Sequence, residues 1–145
     1  MNKINDLPDT LSVFPLSNFI FFPNTSAPLN IFEPRYIQMI DESIKSNRMI
    51  GMIQPKAKSN PQKPDLFKVG CLGKISSFNE TNDGRYVVVL NGITRFNTVE
   101  EINNKKLFKK FKINYKGFEN DTNGEELDIN FSDLNLIFNN LKRIF

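Results

Sequence analysis

The stretch that decides the fold spans residues 28–36 and reads PLNIFEPRY. Its first part belongs to an apolar piece, residues 27–31, of the kind that forms a short strand with an edge or bend. Pro34 then suits the first position of a helix. The helix is indicated by apolar residues at helical spacing, namely Tyr36, Met39, Ile40 and Ile44. The stretch therefore predicts a strand that leads directly into a helix.

Two more apolar pieces precede this joint, residues 11–14 and 19–22, and they are followed by Pro15 and Pro23. Proline cannot donate a hydrogen bond to a sheet, and polar residues lie between the pieces. Both pieces are therefore predicted as short strands rather than as parts of one helix.

Further strands are predicted after the helix. Residues 49–53 are apolar on both sides, as expected for a strand buried on two faces. Residues 69–78 and 85–90 are rich in β-forming residues and flank a corner at residues 82–84 whose Asn, Asp and Gly tolerate positive φ, so they are predicted as a hairpin. The Asn-Gly pair at residues 91–92 permits either a second hairpin or a bulge, and both remain open.

Residues 107–115 are predicted as a strand with one solvent-facing side. Alternation places one set of residues on a single face: Leu107, Lys109, Phe111, Ile113 and Tyr115. The opposite face carries Phe108, Lys110, Lys112 and Asn114.

Composition excludes several kinds of enzyme. The chain has 145 residues, no histidine and one cysteine, which rules out histidine-dependent nucleophilic catalysis, an internal disulfide and a cysteine-cluster zinc site. It contains neither of the glycine-rich patterns that cradle phosphates. The remaining options for a hydrolase, a Ser-Lys dyad or a pair of carboxylates, have nothing specific in their favour. We therefore expect no catalytic residues, no metal and no cofactor.

No apolar run is long enough to cross a membrane, and the first nine residues lack the apolar core of a signal peptide. A cytoplasmic protein with no membrane partner is therefore the expectation. The formal net charge of +3 is too small to indicate nucleic-acid binding unless the charges cluster.

Two groups of charged residues admit more than one interpretation. The lysines of residues 105–112, interleaved with Phe108 and Phe111, suit RNA binding, but lysines on an exposed strand also protect a sheet edge from aggregation. Glu33 and Arg35 flank the helix-initiating proline, where they fit either a structural ion pair or contact with a ligand.

Several motifs together resemble one family. They are residues 13–16 (VFPL), 21–23 (FFP), 28–36 (PLNIFEPRY), 50–52 (IGM), 69–75 (VGCLGKI) and 90–96 (LNGITRF). Their order and spacing, over about residues 11–115, strongly resemble the Lon N-terminal (substrate-binding) domain family, in particular its standalone, Lon-protease-like bacterial members.

This resemblance implies a mainly β fold, a PUA-like pseudo-barrel with one packed helix, followed by the start of a C-terminal helical subdomain. The implied organisation is a loose N-terminus at 1–10, the β domain at 11–118, a polar loop at 119–130 and a truncated helical subdomain at 131–145. Two residues depart from the family pattern. Asn30 stands where relatives often have histidine, and Asn24 where they often have glycine.

The resemblance also implies a function. In full-length Lon proteases this domain helps to recognise and hold protein substrates, whereas separate ATPase and Ser-Lys protease domains unfold and cleave them. We therefore expect a non-catalytic module that binds unfolded or apolar polypeptide. An ATP-dependent protease is the second partner that the resemblance implies. RNA binding through residues 105–112 is the alternative.

The candidate binding residues combine apolar contacts with positioning groups. The apolar candidates are Phe21, Phe22, Phe32, Tyr36 and Phe96, and the positioning candidates are Glu33, Arg35 and Arg95. An extended peptide is expected to add to the sheet beside residues 19–22. Residues 131–145 carry an apolar stripe at helical spacing, which predicts a helix and self-association through it.

Overall fold

In the part of the chain that the structure describes, a six-stranded sheet and one α-helix form the frame. The computed structural model describes residues 6–17, 19–57 and 65–122. The elements in chain order are β1 (Thr10–Pro15), β2 (Ser26–Ile31), α1 (Pro34–Ile44), β3 (Met49–Ile53), β4 (Val69–Glu80), β5 (Tyr86–Ile102), β6 (Lys110–Asn114) and a short 3-10 helix (Glu119–Thr122). The expected C-terminal helix at 131–145 lies outside the described residues.

The sheet closes into a barrel because β5 is long enough to pair twice. The strand order is β2-β5-β4-β3-β1-β6, and an additional pairing joins β6 back to β5. The first part of β5 pairs with β2, and its last residues pair with β6. Five strands thus form a closed ring, while β2 extends from it as an edge. The predicted pseudo-barrel with one packed helix is confirmed.

A bulge lies in β5 where the sequence left two interpretations open. Gly73 pairs with Gly92 and Leu72 pairs with Thr94, so Ile93 is an extra residue in β5. The strand continues through this point, and the second hairpin does not form. A Cβ at position 92 would stand 2.0 Å from the carbonyl oxygen of Phe22, so only glycine lets the two backbones approach this closely.

Helix α1 begins at Pro34, as the sequence predicts, and it covers one face of the sheet. Tyr36, Met39 and Ile40 are buried in a cluster that also contains Phe14 and Leu29. Burial of an apolar side chain of this size contributes about 1.5–3 kcal/mol to folding. The helical stripe read from the sequence is therefore the face that holds α1 against the sheet.

A second cluster fills the barrel. Val13, Leu72 and Phe96 are fully buried there. The ring of Phe96 fits because two strands carry glycine beside it. A Cβ at Gly51 would stand 2.9 Å from the Phe96 ring, and one at Gly70 would stand 2.6 Å from it.

Two local predictions are wrong. Residues 19–22 are not a strand, because their backbone makes no ladder with a neighbouring strand. Leu107 is exposed whereas Phe108 is buried, the reverse of the predicted faces, because β6 begins only at Lys110 and the alternation does not extend back to these residues.

Candidate functional site

An apolar cleft lies between residues 19–22 and the start of β4. Its volume is about 420 Å³. Its lining is Leu16, Phe19, Ile20, Phe21, Phe22, Met52, Ile53, Gln54, Phe67, Val69, Gly70, Cys71 and Arg95. Three of these large apolar side chains are notably exposed: Ile20 at 41%, Phe67 at 48% and Val69 at 44%. The cleft is thus an open, mainly hydrophobic surface.

One wall of the cleft is held by hydrogen bonds that do not belong to the sheet. Gln54 Nε2 donates to the carbonyl oxygen of Phe19 at 3.0 Å, and Asn24 N–H donates to Gly92 O at 2.8 Å. Asn24 has a φ of 63°, a left-handed conformation that asparagine tolerates better than most residues. Asparagine at this position therefore keeps the turn that glycine would otherwise provide.

An ion pair lies beside the cleft. Arg95 Nε and Nη2 each donate to the Asp121 carboxylate at 2.9 Å, and the Arg95 backbone N–H donates to it at 3.0 Å. Burial opposes ionisation of Asp121, but the hydrogen bonds from Arg95 prevail and hold its pKa below the ordinary value. The Arg95 guanidinium also lies 4.6 Å from the centre of the Phe118 ring. The rim is therefore a fixed charged edge beside an apolar cleft.

The floor of the cleft includes the single cysteine. Burial raises the pKa of the Cys71 thiol to about 12, and the nearby Asp121 carboxylate adds to this effect. The thiol is therefore protonated at neutral pH and behaves as a small apolar group. It contributes surface to the cleft rather than a nucleophile.

The structure brings together three of the eight sequence-predicted site residues at the cleft: Phe21, Phe22 and Arg95. Phe21 is buried and forms part of the wall, where its ring lies 6.1 Å from that of Phe19. Phe96 is 0% exposed inside the barrel. Its ring has no accessible surface for a partner, so its role in this conformation is packing.

The other four candidates lie at the joint between β2 and α1, and they do not line the cleft. Phe32 is 67% exposed, whereas Tyr36 is buried. Arg35 Nε lies 2.9 Å from a Glu33 carboxylate oxygen, and the guanidinium lies 4.7 Å from the centre of the Tyr36 ring. The Glu33–Arg35 ion pair that the sequence suggested is thus present, and it flanks Pro34, the first residue of α1.

The most exposed apolar residues of the cleft are Ile20, Phe67 and Val69. The sequence pointed to the segment 19–22 but not to Ile20 itself, and it did not point to Phe67 or Val69 as binding residues. Phe67 and Val69 follow a proline-rich, polar stretch at residues 55–65. Phe67 N–H donates to Gln54 O at 3.0 Å, which places both ends of that stretch beside residue 19. The available signal was two apolar residues at the exit of a polar loop, one just before β4 and one at its first position.

The basic segment is largely paired with carboxylates. Lys106 and Lys110 both make ion pairs with Glu42 of α1, and Lys109 Nζ lies 3.5 Å from Glu101. Three of the five lysines at residues 105–112 therefore already face a negative group. Because β6 pairs with both β1 and β5, its lysines do not protect a free sheet edge. The ion pairs support a structural role for these lysines at the surface, while RNA binding stays an untested prediction.

The described ranges contain no group of three or more His, Cys, Asp or Glu side chains placed to hold a metal ion. None of their helices is long and apolar enough to cross a membrane.

A family model for the substrate-binding domain of ATP-dependent protease La (LON) matches residues 10–144. The chain belongs to this family. The match includes both the barrel and the cleft, together with residues beyond the described part.

Individual Lon proteases are also similar in sequence to this chain. The chain is 34% identical over 95 residues to a Lon protease of Desulfosudis oleivorans, which covers 63% of this chain and 12% of that protein. It is 27% identical over 111 residues to Lon protease 2 of Myxococcus xanthus, covering 75% of this chain and 13% of that protein. This member of the LON substrate-binding family thus spans about an eighth of the length of these relatives.

Two solved structures share the fold. A Lon N-terminal domain protein from Xanthomonas campestris superposes with a TM-score of 0.59 at 22% identity, covering 73% of this chain and 59% of that one. The N-terminal domain of the Lon protease of the Mycobacterium avium complex gives a TM-score of 0.56 at 14% identity, covering 73% and 54%. At these identities the likeness concerns the fold alone.

Proposed function

We propose that this chain binds extended, apolar segments of unfolded polypeptide in the cleft between residues 19–22 and 67–71. The observation that carries the proposal is the exposure of Ile20, Phe67 and Val69 around one open apolar cavity. Exposed apolar side chains gathered at a concave site are typical of surfaces that bind a partner. Membership of a substrate-binding family supports the same function.

The volume of the cleft limits the size of the ligand that it can bind. A volume of about 420 Å³ lies within the range of small-ligand pockets and accommodates a few apolar side chains rather than a folded surface. The polar groups at two edges are already engaged, the Gln54 amide with Phe19 O and the Arg95 guanidinium with Asp121, so the apolar walls supply most of the contact with a ligand. The preferred ligand is therefore a short extended stretch with two or three large apolar residues.

In this proposal the chain binds and does not cleave. The absence of histidine removes the usual general base, and the buried, protonated Cys71 is not a nucleophile. Bound polypeptide would be passed to a separate ATP-dependent protease. Addition of the chain to a purified protease of the Lon family should then change the rate at which an unfolded substrate is degraded.

The direct test measures binding of a fluorescently labelled, permanently unfolded protein to cleft variants. Ile20→Asp and Phe67→Asp place a charge on an apolar wall and should each weaken binding about tenfold or more, equivalent to about 1.4 kcal/mol. Matched controls are Val99→Asp and Leu107→Asp, whose apolar side chains are exposed elsewhere. The controls should bind within about twofold of the unaltered chain.

Thermal unfolding of all four variants shows whether the fold is kept. Equal loss of binding in the cleft variants and the controls would mean general hydrophobic adhesion and would contradict the proposal.

The salt dependence of the binding affinity distinguishes peptide binding from RNA binding. Affinity for RNA falls steeply as the salt concentration rises, whereas burial of apolar surface does not depend on released counterions.

A further inference from the structure

A second cavity lies where the end of α1 faces the first residues of β1 and β3, and its walls are mainly polar. Its volume is about 460 Å³. Hydroxyl, ammonium and amide groups in its lining come from Thr10, Ser12, Lys45, Ser46, Asn47 and Lys110. It shares no lining residue with the apolar cleft. We call it the polar groove.

The polar groove and the apolar cleft lie at opposite ends of the same two strands. β1 and β3 run parallel to each other. Thr10 and Met49 begin these strands and line the polar groove, whereas Leu16 and Ile53 lie at or just beyond the other ends and line the cleft. At about 3.3 Å per residue, β3 separates the two cavities by roughly 13 Å. A ligand in one cavity therefore leaves the other open.

One wall of the polar groove presents two hydroxyl groups and two lysines. In the register of β1 with β6, Thr10 stands opposite Lys112 and Ser12 stands opposite Lys110. Residues directly opposite in an antiparallel pair project from the same face of the sheet. Each hydroxyl is therefore accompanied by an ammonium group on its own face. All four groups are able to donate hydrogen bonds.

The negative charge in the polar groove is already neutralised. Among the described residues that line it, Glu42 is the one carboxylate, and it makes ion pairs with both Lys106 and Lys110. In the described part of the chain, Lys45 and Lys112 make no ion pair. Four lysines thus lie in or beside the groove against a single carboxylate. The local electrostatic field therefore favours an anion.

The negative end of the α1 dipole is largely shielded from the polar groove. Unpartnered carbonyls would give the end of a helix a partial negative charge. Here Ser43 O accepts hydrogen bonds from the backbone N–H groups of Ser46 and Arg48, and the Ser46 hydroxyl donates to Glu42 O. Lys45, the C-cap residue, places a positive charge at the same end. The end of α1 therefore contributes a cation to the groove.

The types of donor in the polar groove fit phosphate better than other anions. No arginine is among the described residues that line it, so the planar fork that matches a carboxylate is missing. Ammonium and hydroxyl groups from two walls suit the several oxygens of a tetrahedral phosphate. The described lining also contains no aromatic ring, so a nucleic-acid base would find no side chain on which to stack.

We propose that the polar groove binds a compact, phosphate-bearing small molecule. Lys45 and Lys110 supply the positive charge, and the hydroxyls of Thr10 and Ser12 donate hydrogen bonds to the phosphate oxygens. The volume lies within the range of small-ligand cavities and exceeds what a single phosphate group fills. The ligand therefore carries a second phosphate or a small organic part. This site does not depend on peptide binding in the apolar cleft.

Calorimetric titration of the full chain with inorganic pyrophosphate tests the site. Lys45→Gln should weaken binding about tenfold, because it removes a charge-assisted hydrogen bond. Ser12→Ala should weaken it about threefold without changing the net charge. The matched control is Lys116→Gln, which removes the same charge from an exposed position after β6 and should bind within about twofold of the unaltered chain. Equal weakening by both lysine variants would mean attraction by net charge alone and would overturn the proposal.

Backbone amide signals in nuclear magnetic resonance locate the bound pyrophosphate. The signals of residues 10–12 and 45–47 should shift on titration, whereas those of residues 19–22 at the apolar cleft should not. The same spectra show whether Lys45→Gln and Ser12→Ala keep the fold. Larger shifts at any other surface than at the polar groove would overturn the proposal.

Competing ligands test the chemical class. Malonate, a dicarboxylate of similar size, should bind at least tenfold more weakly than pyrophosphate, because its planar carboxylates match the donors less well. Equal affinity would show that the groove takes any small dianion, and the assignment to phosphate would be wrong. A labelled single-stranded RNA that shifts the same amide signals, and that pyrophosphate does not displace, would show that the groove is part of a nucleic-acid surface and would also overturn the proposal.

Discussion

The barrel interior and the cleft are built from the same kinds of side chain, yet one excludes water and the other does not. The strands around Phe96 form a closed ring in which each strand is paired on both sides. The Phe96 side chain inside it is fully buried. Around Ile20 the wall is a segment without strand pairing, fixed by single contacts to Gln54 and Gly92. Closure of the backbone ladder, rather than residue type, thus decides whether apolar residues stabilise the fold or remain available to a ligand.

The largest expected effect is on the barrel side of this comparison. Phe96→Ala should lower the free energy of unfolding by about 3–5 kcal/mol, because it leaves a cavity in a fully buried cluster. Chemical denaturation monitored by circular dichroism measures the change.

The matched control is Phe67→Ala, which removes the same ring from the half-exposed wall of the cleft. We expect a change of about 0.5 kcal/mol or less, as is usual for surface substitutions. Similar losses in both variants would mean that the cleft wall belongs to the folding core, and the distinction between the two regions would be lost.

Most of the helix and strand framework could be predicted from the sequence, because the signals lie within short stretches of the chain. Pro34 and the 3-4 spacing after it define α1, and the Asn, Asp and Gly of residues 82–84 define the hairpin. These signals depend on backbone preferences that do not need distant partners. The prediction of which side chains are buried at residues 107 and 108 was wrong, because alternation in the sequence does not show at which residue strand pairing begins.

The candidate site was less predictable, since exposure depends on contacts far apart in sequence. Phe22 and Phe96 look alike in the chain, but one lines an open cleft and the other fills the barrel. The position of residues 19–22 depends on Gly92, about seventy residues away, whose missing side chain admits the Phe22 carbonyl. No pattern within a short window contains that information.

An intermediate effect is expected at the rim of the cleft. Asp121→Asn should lower the free energy of unfolding by about 1 kcal/mol at neutral pH, because the largely buried carboxylate accepts hydrogen bonds from the half-exposed Arg95. The pKa of Asp121 is lower in the folded than in the unfolded protein. Its stabilising effect is therefore complete above the ordinary value of 3.8 and is lost as the pH falls through the lower, folded value.

Denaturation midpoints of Asp121→Asn and the unaltered chain, followed from neutral to strongly acidic pH, check this sign. The difference between the two proteins should shrink only below the ordinary carboxyl range. A difference that is constant down to the most acidic condition would show that the substitution acts through packing and not through the charge on Asp121.

The smallest effect is expected at the joint between β2 and α1. Arg35→Ala should lower the free energy of unfolding by about 0.5–1 kcal/mol, since the Glu33–Arg35 pair is partly exposed and screened by solvent. Loss of the guanidinium from the Tyr36 ring adds to the same modest effect.

Arg35→Lys is the informative partner variant, because lysine keeps the charge but not the planar group that donates Nε–H to Glu33. Peptide affinity should be unchanged in both variants, since neither residue lines the cleft. A drop in affinity without any shift in the denaturation midpoint would instead move the binding surface from the cleft to this joint, where the exposed Phe32 would become the apolar contact.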